Sequence, residues 1–591
     1  MLVGVAGAGL VLLVAWGYRD ARHARGQLAA ARETLRQITD DPVALQTPEG
    51  REAARGRIDQ VVGTLVTGRR GVARSPAMTV AQVVPGLSGQ RRGLLRLFDD
   101  GADAARAGRD LLGGADALAD RTALRDGVVP AEGIRALEAD VRATARRIRG
   151  LVRSPAGLWG PVRDARRAFD EVAASTADRL DDGSETMRAV LTFAGAGGDR
   201  RHLIALQNNA EMRDQGMVLQ YAVATFSGGR LGFERNGSVA DLQLDGPAPT
   251  PVPEGTQKVF GFLRPTQLWQ SVNATADFAF SGRAMSDMFR QATGTPVDGV
   301  IAIDVPGLAA VLAVVGPVQV PGLAEPVTAE NAGRVLLHDL YQGLPPVADV
   351  SGRRERLGEV TRALIDRLTQ GSYDLVRLGR VLGESARGGH LRLWSAVGEE
   401  EEVFERSGIG GSPAGRTPER TFHLAVENRT ATKLDYFVQP RVRQEVDVTR
   451  GGDAVVRTFV VLHNLAPPGQ APSYQLGPDA NTENPGDYLA WLLLWAPPQA
   501  RQAGGVAESG LLLSERVVLA PAGQTREILV TTVIPDAVRD GRLELRLVPQ
   551  ARLVPVGLEV RLNASGWHVE GPASWAGPWD RVLNFRWGLS R

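Results

Sequence analysis

The stretch "DGVIAIDVPGLAAVLAVVGPVQVPG", Asp298 to Gly322, decides how the middle of this chain folds. Its spacing predicts a buried strand over GVIAID, a tight turn into a short apolar helix, and a second strand opening at the Gly316-Pro317 step. Asp304 stands where a carboxylate would cap that helix, with Pro306 in the first turn. A strand–helix–strand unit of this kind implies an α/β layer.

Working outward, the runs "LIALQNN" from Leu203 and "MVLQYAVATFSGGRLGF" from Met217 are short, apolar and punctuated by glycine, which predicts further strands. Between them and the opening stretch, "AMSDMFRQATG" predicts a helix stopping at Gly294. Beyond about Thr421, alternation becomes the rule. "VVRTFVVLHN" puts Val455, Arg457, Phe459 and Val461 on one face and Val456, Thr458, Val460 and Leu462 on the other. "TREILVTTVIP" and "GRLELRLVPQ" repeat the pattern with "PAGQ" and "RDGR" as turns, the signature of an Ig-like β-sandwich. Trp567, Trp575, Trp579 and Trp587 read as core of that sandwich, with sugar stacking as the alternative.

Upstream, Arg19 to Phe193 is rich in Ala, Arg, Leu, Asp and Glu. Ile134, Leu137, Val141, Ile148 and Leu151 form a helical seam, as do Leu28, Leu35 and Ile38. A stalk and an ordinary helical bundle both fit this pattern. Leu2 to Tyr18 carries no charge and ends in Trp16 and Tyr18, which predicts a membrane anchor. Arg19, Arg22 and Arg25 on its carboxy-terminal side oppose an outward-facing body, so the expectation is that the true start lies upstream with a basic leader. The resulting expectation is a multidomain α+β protein: an anchor over residues 1–18, a helical stalk over 19–195, an α/β domain over 196–420 and a β-sandwich over 421–591.

Composition removes several function classes. A chain of 591 residues exceeds one core, and 43% apolar with 23% charged residues is ordinary for a folded protein. The formal net charge of +1 argues against nucleic acid as a partner. The absence of cysteine removes thiol chemistry, Cys-ligated metals and disulfides. Lys258 and Lys433 are the only lysines, and neither is followed by Ser or Thr, so no phosphate loop is present. Neither His-Glu-x-x-His nor Gly-x-Ser-x-Gly occurs.

The blocks "LIALQNNAEMRDQG", "GSVADLQLD", "NATADFAFSGRAMSDMFRQATG" running into the opening stretch, "VTAENAGRVLLHDLY" and "ENRTATKLDYFV" resemble, in order and spacing, the bacterial domain-of-unknown-function family 4012 (DUF4012). That family is commonly a membrane-anchored envelope protein. More distantly, the strand–helix–Gly-Pro block resembles the closing part of the LytR-CpsA-Psr (LCP) domain, whose members transfer polyprenyl-pyrophosphate-linked glycans to the cell wall.

The resemblance implies a single-pass, outward-facing envelope protein that binds a polyprenyl-(pyro)phosphate-linked glycan or cell-wall polymer near membrane lipid, with transfer and Mg²⁺ as the corresponding chemistry. On that reading Arg213 clamps phosphate, and Asp241 and Asp277 hold the metal or take the acceptor proton. Asn208, Asn209, Lys433 and Asp435 complete the substrate contacts. Each residue has a plainer reading: Arg213 paired with Glu211 or Asp214, Asp241 and Asp277 as turn or cap residues. The chain also departs from the family pattern at "DQGM" after Arg213 and at Thr275-Ala276 before Asp277. The alternative function is a non-catalytic scaffold that joins envelope partners.

Overall fold

A computed structural model describes residues 48–80, 87–119, 123–345 and 351–591, together with the single positions 26 and 82. The anchor read over Leu2–Tyr18 and the seam of Leu28, Leu35 and Ile38 lie outside the described residues. Among the described residues no helix is long and apolar enough to cross a membrane. The chain divides into two compact units, one of residues 1–123 and 130–188, the other of residues 124–129 and 189–591.

In the first unit, the helices Pro48–Arg74, Leu87–Ala119 and Ala131–Arg149 pack through their apolar faces. Ile58, Val61, Leu65 and Phe98 form one buried cluster, and Ala107, Ile148, Ala173 and Ala177 another. The predicted seam faces inward, with Val141 and Ile148 buried. Such packing is that of a bundle. Inside it Arg166 is buried against Asp100, 2.6 Å away, and Asp170, while Nη2 donates to the Leu151 carbonyl at 2.7 Å.

The second unit holds a five-stranded sheet and a β-sandwich. Strands β1 (Arg200–Met212), β2 (Gly216–Ser227), β3 (Arg230–Ser238), β4 (Gly299–Asp304) and β5 (Leu391–Ser395) run in the order β3-β2-β1-β4-β5. β1 pairs parallel with β4, and the remaining pairs are antiparallel. Alternation sorts the side chains: Leu203, Ala205, Val300 and Ala302 face one core, while Ile204, Leu206, Ile301 and Ile303 face another. Helix Phe278–Thr293 covers the first face with Met285, Met288 and Phe289, each worth about 1.5–3 kcal/mol when sealed from water. Helix Val305–Val315 covers the second.

The opening stretch therefore forms the predicted strand and helix, and Asp304 Oδ1 accepts from the Gly307 amide at 2.9 Å as a cap. The helix before it ends at Gly294 with φ +72°. The predicted second strand is a correction. Gly316–Val320 makes only an isolated bridge, Val318 to Val327, because Pro317 and Pro321 bracket the segment and offer no amide hydrogen to a ladder.

The sandwich comprises β6 (Thr421–Asn428), β7 (Val438–Val448), β8 (Ala454–Asn464), β9 (Tyr488–Ala496), β10 (Val506–Glu508), β11 (Leu511–Ala520), β12 (Thr525–Ile534), β13 (Arg542–Val548), β14 (Val556–Asn563), β15 (His568–Glu570), β16 (Ser574–Trp579) and β17 (Leu583–Ser590). One sheet has the order β12-β8-β7-β14-β16, the other β10-β11-β9-β6-β13-β17-β15. Two pairings are parallel, β6 with β13 and β7 with β14. The sheets share a core of alternate residues such as Val426, Val442, Val456 and Val460, with Trp579 and Trp587 buried in it and Trp567 and Trp575 packed against it. Two of the four tryptophans are therefore core and two are half-buried at its edge.

Candidate functional site

The end of β1 and the turn into β2, Asn208 to Gly216, is the point where the central sheet meets the sandwich. Gly216 permits it: a Cβ there would lie 2.7 Å from the Asn208 carbonyl carbon. Around this turn, charged side chains are drawn into the interior and each finds a partner far along the chain.

Glu211 Oε2 lies 2.6 Å from Lys433 Nζ, with side-chain exposures of 8% and 1%. The contact is a charge pair off the hydrogen-bond axis, and Nζ also sits 4.8 Å from the centre of the Tyr341 ring. Asp435 accepts from the Met212 amide at 3.0 Å, from Tyr488 Oη at 2.7 Å and from Arg552 Nη2 at 3.1 Å. Burial pushes the Asp435 carboxyl up, and the Arg552 charge and these donors work against that rise. Asp214 Oδ1 meets His423 Nε2 at 2.6 Å while His423 Nδ1 faces the Val548 carbonyl at 3.0 Å, so both ring nitrogens face acceptors.

Asn208 Nδ2 donates to Tyr341 Oη at 2.7 Å. Asn209 Nδ2 donates to Asp304 Oδ2 at 2.8 Å and to the Ala551 carbonyl at 3.3 Å, and its oxygen accepts from the Val305 amide at 3.1 Å. Both Asn side chains are buried and spent on holding the fold. Asn208, Asn209, Arg213, Lys433 and Asp435 are therefore brought to one place, where Lys433 and the two Asn act as internal struts.

Arg213 is different. It pairs with neither Glu211 nor Asp214. Its Nε donates to the Gln270 carbonyl at 3.2 Å, and Nη1 to the Met212 and Asn428 carbonyls at 3.1 and 2.8 Å. No acceptor among the described residues takes Nη2. Three carbonyls thus fix the guanidinium at the wall of a cleft of about 800 Å³. The cleft is lined from β1–β3, from Phe262 and Leu263, from Asn428–Thr432 and from Ser473–Asn481. Among the lining residues that sequence reasoning passed over are Arg429, Phe262, Trp491 and Asp479. Only Arg429 stood inside a quoted block, and nothing local marks the other three.

The two aspartates predicted as catalytic stand elsewhere. Asp241 ends the short turn Val239–Asp241 and is exposed; its neighbours Val239 and Ala240 line the cleft and it does not. Asp277 caps the helix Phe278–Thr293, accepting from the Phe280 amide at 3.2 Å. Burial pushes its carboxyl up, with Glu508 adding to the rise. The two share no partner, and no group of three or more His, Asp or Glu among the described residues is arranged to hold a metal ion. Asp241 and Asp277 do not fit a shared Mg²⁺.

A second acidic group lies at helix Gly398–Ser407. Burial pushes Glu401 and Glu405, one turn apart, each up to about 7. Glu401 Oε2 accepts from the Ser395 amide at 2.8 Å, and Glu405 is influenced by Asp277 and Arg392.

None of the curated proteins and none of the solved structures compared with this chain matches it. Residues 197–341, which carry β1–β4, both covering helices and the turn that bears Arg213, match the family described as "Protein of unknown function (DUF4012)".

Proposed function

We propose that the protein is a binding protein of the cell envelope, anchored through Leu2–Tyr18 with its body outside the cytoplasm, whose cleft receives a polyprenyl-phosphate-linked glycan or cell-wall polymer. The observation that carries this reading is Arg213: three backbone carbonyls hold the guanidinium still while Nη2 is left for the cleft, the arrangement an anion-binding arginine needs. The ligand class rests on the resemblance of the strand–helix block to the LCP domain. The sandwich, read as Ig-like, would supply one wall of the cleft.

Transfer is not part of the proposal. A transferase needs a base and a charge-stabilising group converging on the reacting phosphate, whereas Asp277 is committed to a helix cap and Asp241 lies outside the cleft. Thermal unfolding of the full-length protein in detergent tests the reading. Undecaprenyl phosphate should raise Tm in a concentration-dependent way. A Tm that undecaprenyl phosphate leaves where detergent alone puts it would reject this ligand class.

A further inference from the structure

Arg429 occupies an unusual position for an arginine half-buried in a folded chain. Its guanidinium carbon lies 5.1 Å from the centre of the Phe262 ring and 5.3 Å from that of Trp491, and the two rings are themselves 5.7 Å apart. Trp491 is in turn fixed by its Nε1, which donates to Glu515 Oε2 at 2.6 Å. The backbone of Arg429 is held at both ends, the amide by the Leu489 carbonyl at 3.0 Å and the carbonyl by Asn481 Nδ2 at 2.9 Å. Yet no carboxylate and no carbonyl among the described residues accepts from the guanidinium. Its position is set by stacking and its hydrogen-bonding fork is unspent.

None of the carboxylates around it is hydrogen-bonded or ion-paired to its guanidinium. Glu211, the carboxylate at the cleft wall near Arg213, is matched by Lys433. Asp479, the other lining carboxylate, is engaged by the amides of Ala431 and Asn481 at 2.7 and 2.9 Å and by Thr482 Oγ1 at 3.2 Å. Glu427 precedes Arg213's partner Asn428, is 1% exposed, and its Oε1 has no partner. Burial drives that carboxyl well above its ordinary range, and the Arg213 and Arg429 charges work against that rise.

Resting on the reading of the cleft given above, we infer that Arg429 is the residue that recognises the ligand's anionic group, with Arg213 as the second cation, and that the group is a phosphate ester carried by a sugar ring packed on Phe262. Two guanidinia reaching from different elements suit a tetrahedral oxyanion. The Phe262 ring is 58% exposed and lies beside them, a flat apolar surface next to the charge.

Titration calorimetry of the full-length protein in detergent tests this, with glucose 1-phosphate, inorganic phosphate and glucose as probes. Glucose 1-phosphate should bind more tightly than phosphate, and glucose alone should not register. Arg429→Lys keeps the charge and loses the fork and the stack, and should weaken glucose 1-phosphate by about tenfold or more at unchanged Tm. Phe262→Ala removes one of the two rings that hold Arg429 as well as the surface for the sugar, and should weaken glucose 1-phosphate by a larger factor than it weakens phosphate. Binding of glucose 1-phosphate unchanged in Arg429→Lys would overturn the inference, and so would no binding of either phosphate probe to the wild type. The Tm shift with undecaprenyl phosphate separates the two claims. A shift retained in Arg429→Lys removes Arg429 and keeps the ligand class, whereas no shift in the wild type removes the ligand class itself.

Discussion

Lys433 and Glu211 meet at 2.6 Å with both side chains nearly sealed from water, linking the end of β1 to the segment that opens β7 across 222 residues of sequence. An ion pair in this setting gives back in attraction roughly what desolvation cost, so its removal as a pair is tolerable while its division is not. Lys433→Met or Glu211→Leu alone should each destabilise by about 3–5 kcal/mol. The double variant Glu211→Leu, Lys433→Met should recover most of that loss. Urea unfolding of the four proteins gives the coupling; additive losses in the double variant would mean the two charges act independently.

Asp277 was one of the two aspartates expected to hold a metal or take a proton, and the structure makes it a helix cap. Asp277→Ala should lower stability by about 1 kcal/mol, and Asp277→Asn, which keeps a capping oxygen, by less. Neither should alter binding of undecaprenyl phosphate. Loss of binding in Asp277→Asn at unchanged stability would restore the catalytic or ligand role.

Asp304 does more than cap. It is 1% exposed, and besides the Gly307 amide it accepts from Asn209 Nδ2 at 2.8 Å and contacts His390 Nδ1 at 2.7 Å. Asp304→Ala strands these donors in the interior and should cost about 3 kcal/mol or more, well above an ordinary cap. Thermal unfolding of Asp304→Ala beside Asp277→Ala reads the contrast directly.

Glu401 and Glu405 give the fold a pH dependence of definite sign. Their carboxyls are raised to about 7 in the folded protein, whereas an unfolded Glu titrates near about 4.3. Between those values the folded state holds protons that the unfolded state has released, so their contribution favours folding at low pH and is lost as pH rises through about 7. The double variant Glu401→Gln, Glu405→Gln should match the wild type near pH 4 and exceed it at pH 8. His202 acts in the opposite sense on the acid side. Burial lowers its imidazole to about 4, so stability present above about 6.5 is lost as pH falls toward that value. A wild type–variant gap that is the same at pH 4 and pH 8 would contradict the assignment.

Local signals in the sequence were read where local physics decides the structure. Asp304 with Pro306 announces a capped helix, Gly294 its predecessor's end, and the alternation from Val455 to Leu462 a strand; all three stand in the structure, which adds that only the Val456–Leu462 face is buried. The second strand at Gly316–Val320 failed on a local fact that was in view, the two prolines that remove ladder donors. The site was legible only in part. Arg213, Lys433 and Asp435 do come together, but their roles depend on partners such as Glu211, Gln270 and Arg552 that no local pattern could assign. Arg429 gave no local sign of its function. Its setting comes from Phe262, 167 positions earlier, and Trp491, 62 later, and among the described residues no carboxylate is hydrogen-bonded to its guanidinium.

The most direct test of the central claim is mass spectrometry of lipid extracted from gently purified full-length protein, beside the variant Ala431→Trp. Ala431 is exposed at the cleft wall, so an indole there fills the cleft without entering a core. A polyprenyl phosphate or phosphate-linked glycan recovered from the wild type and depleted in Ala431→Trp is the predicted result. No such lipid from a folded wild type, or equal amounts from both proteins, would contradict the cleft as the place where this protein holds its ligand.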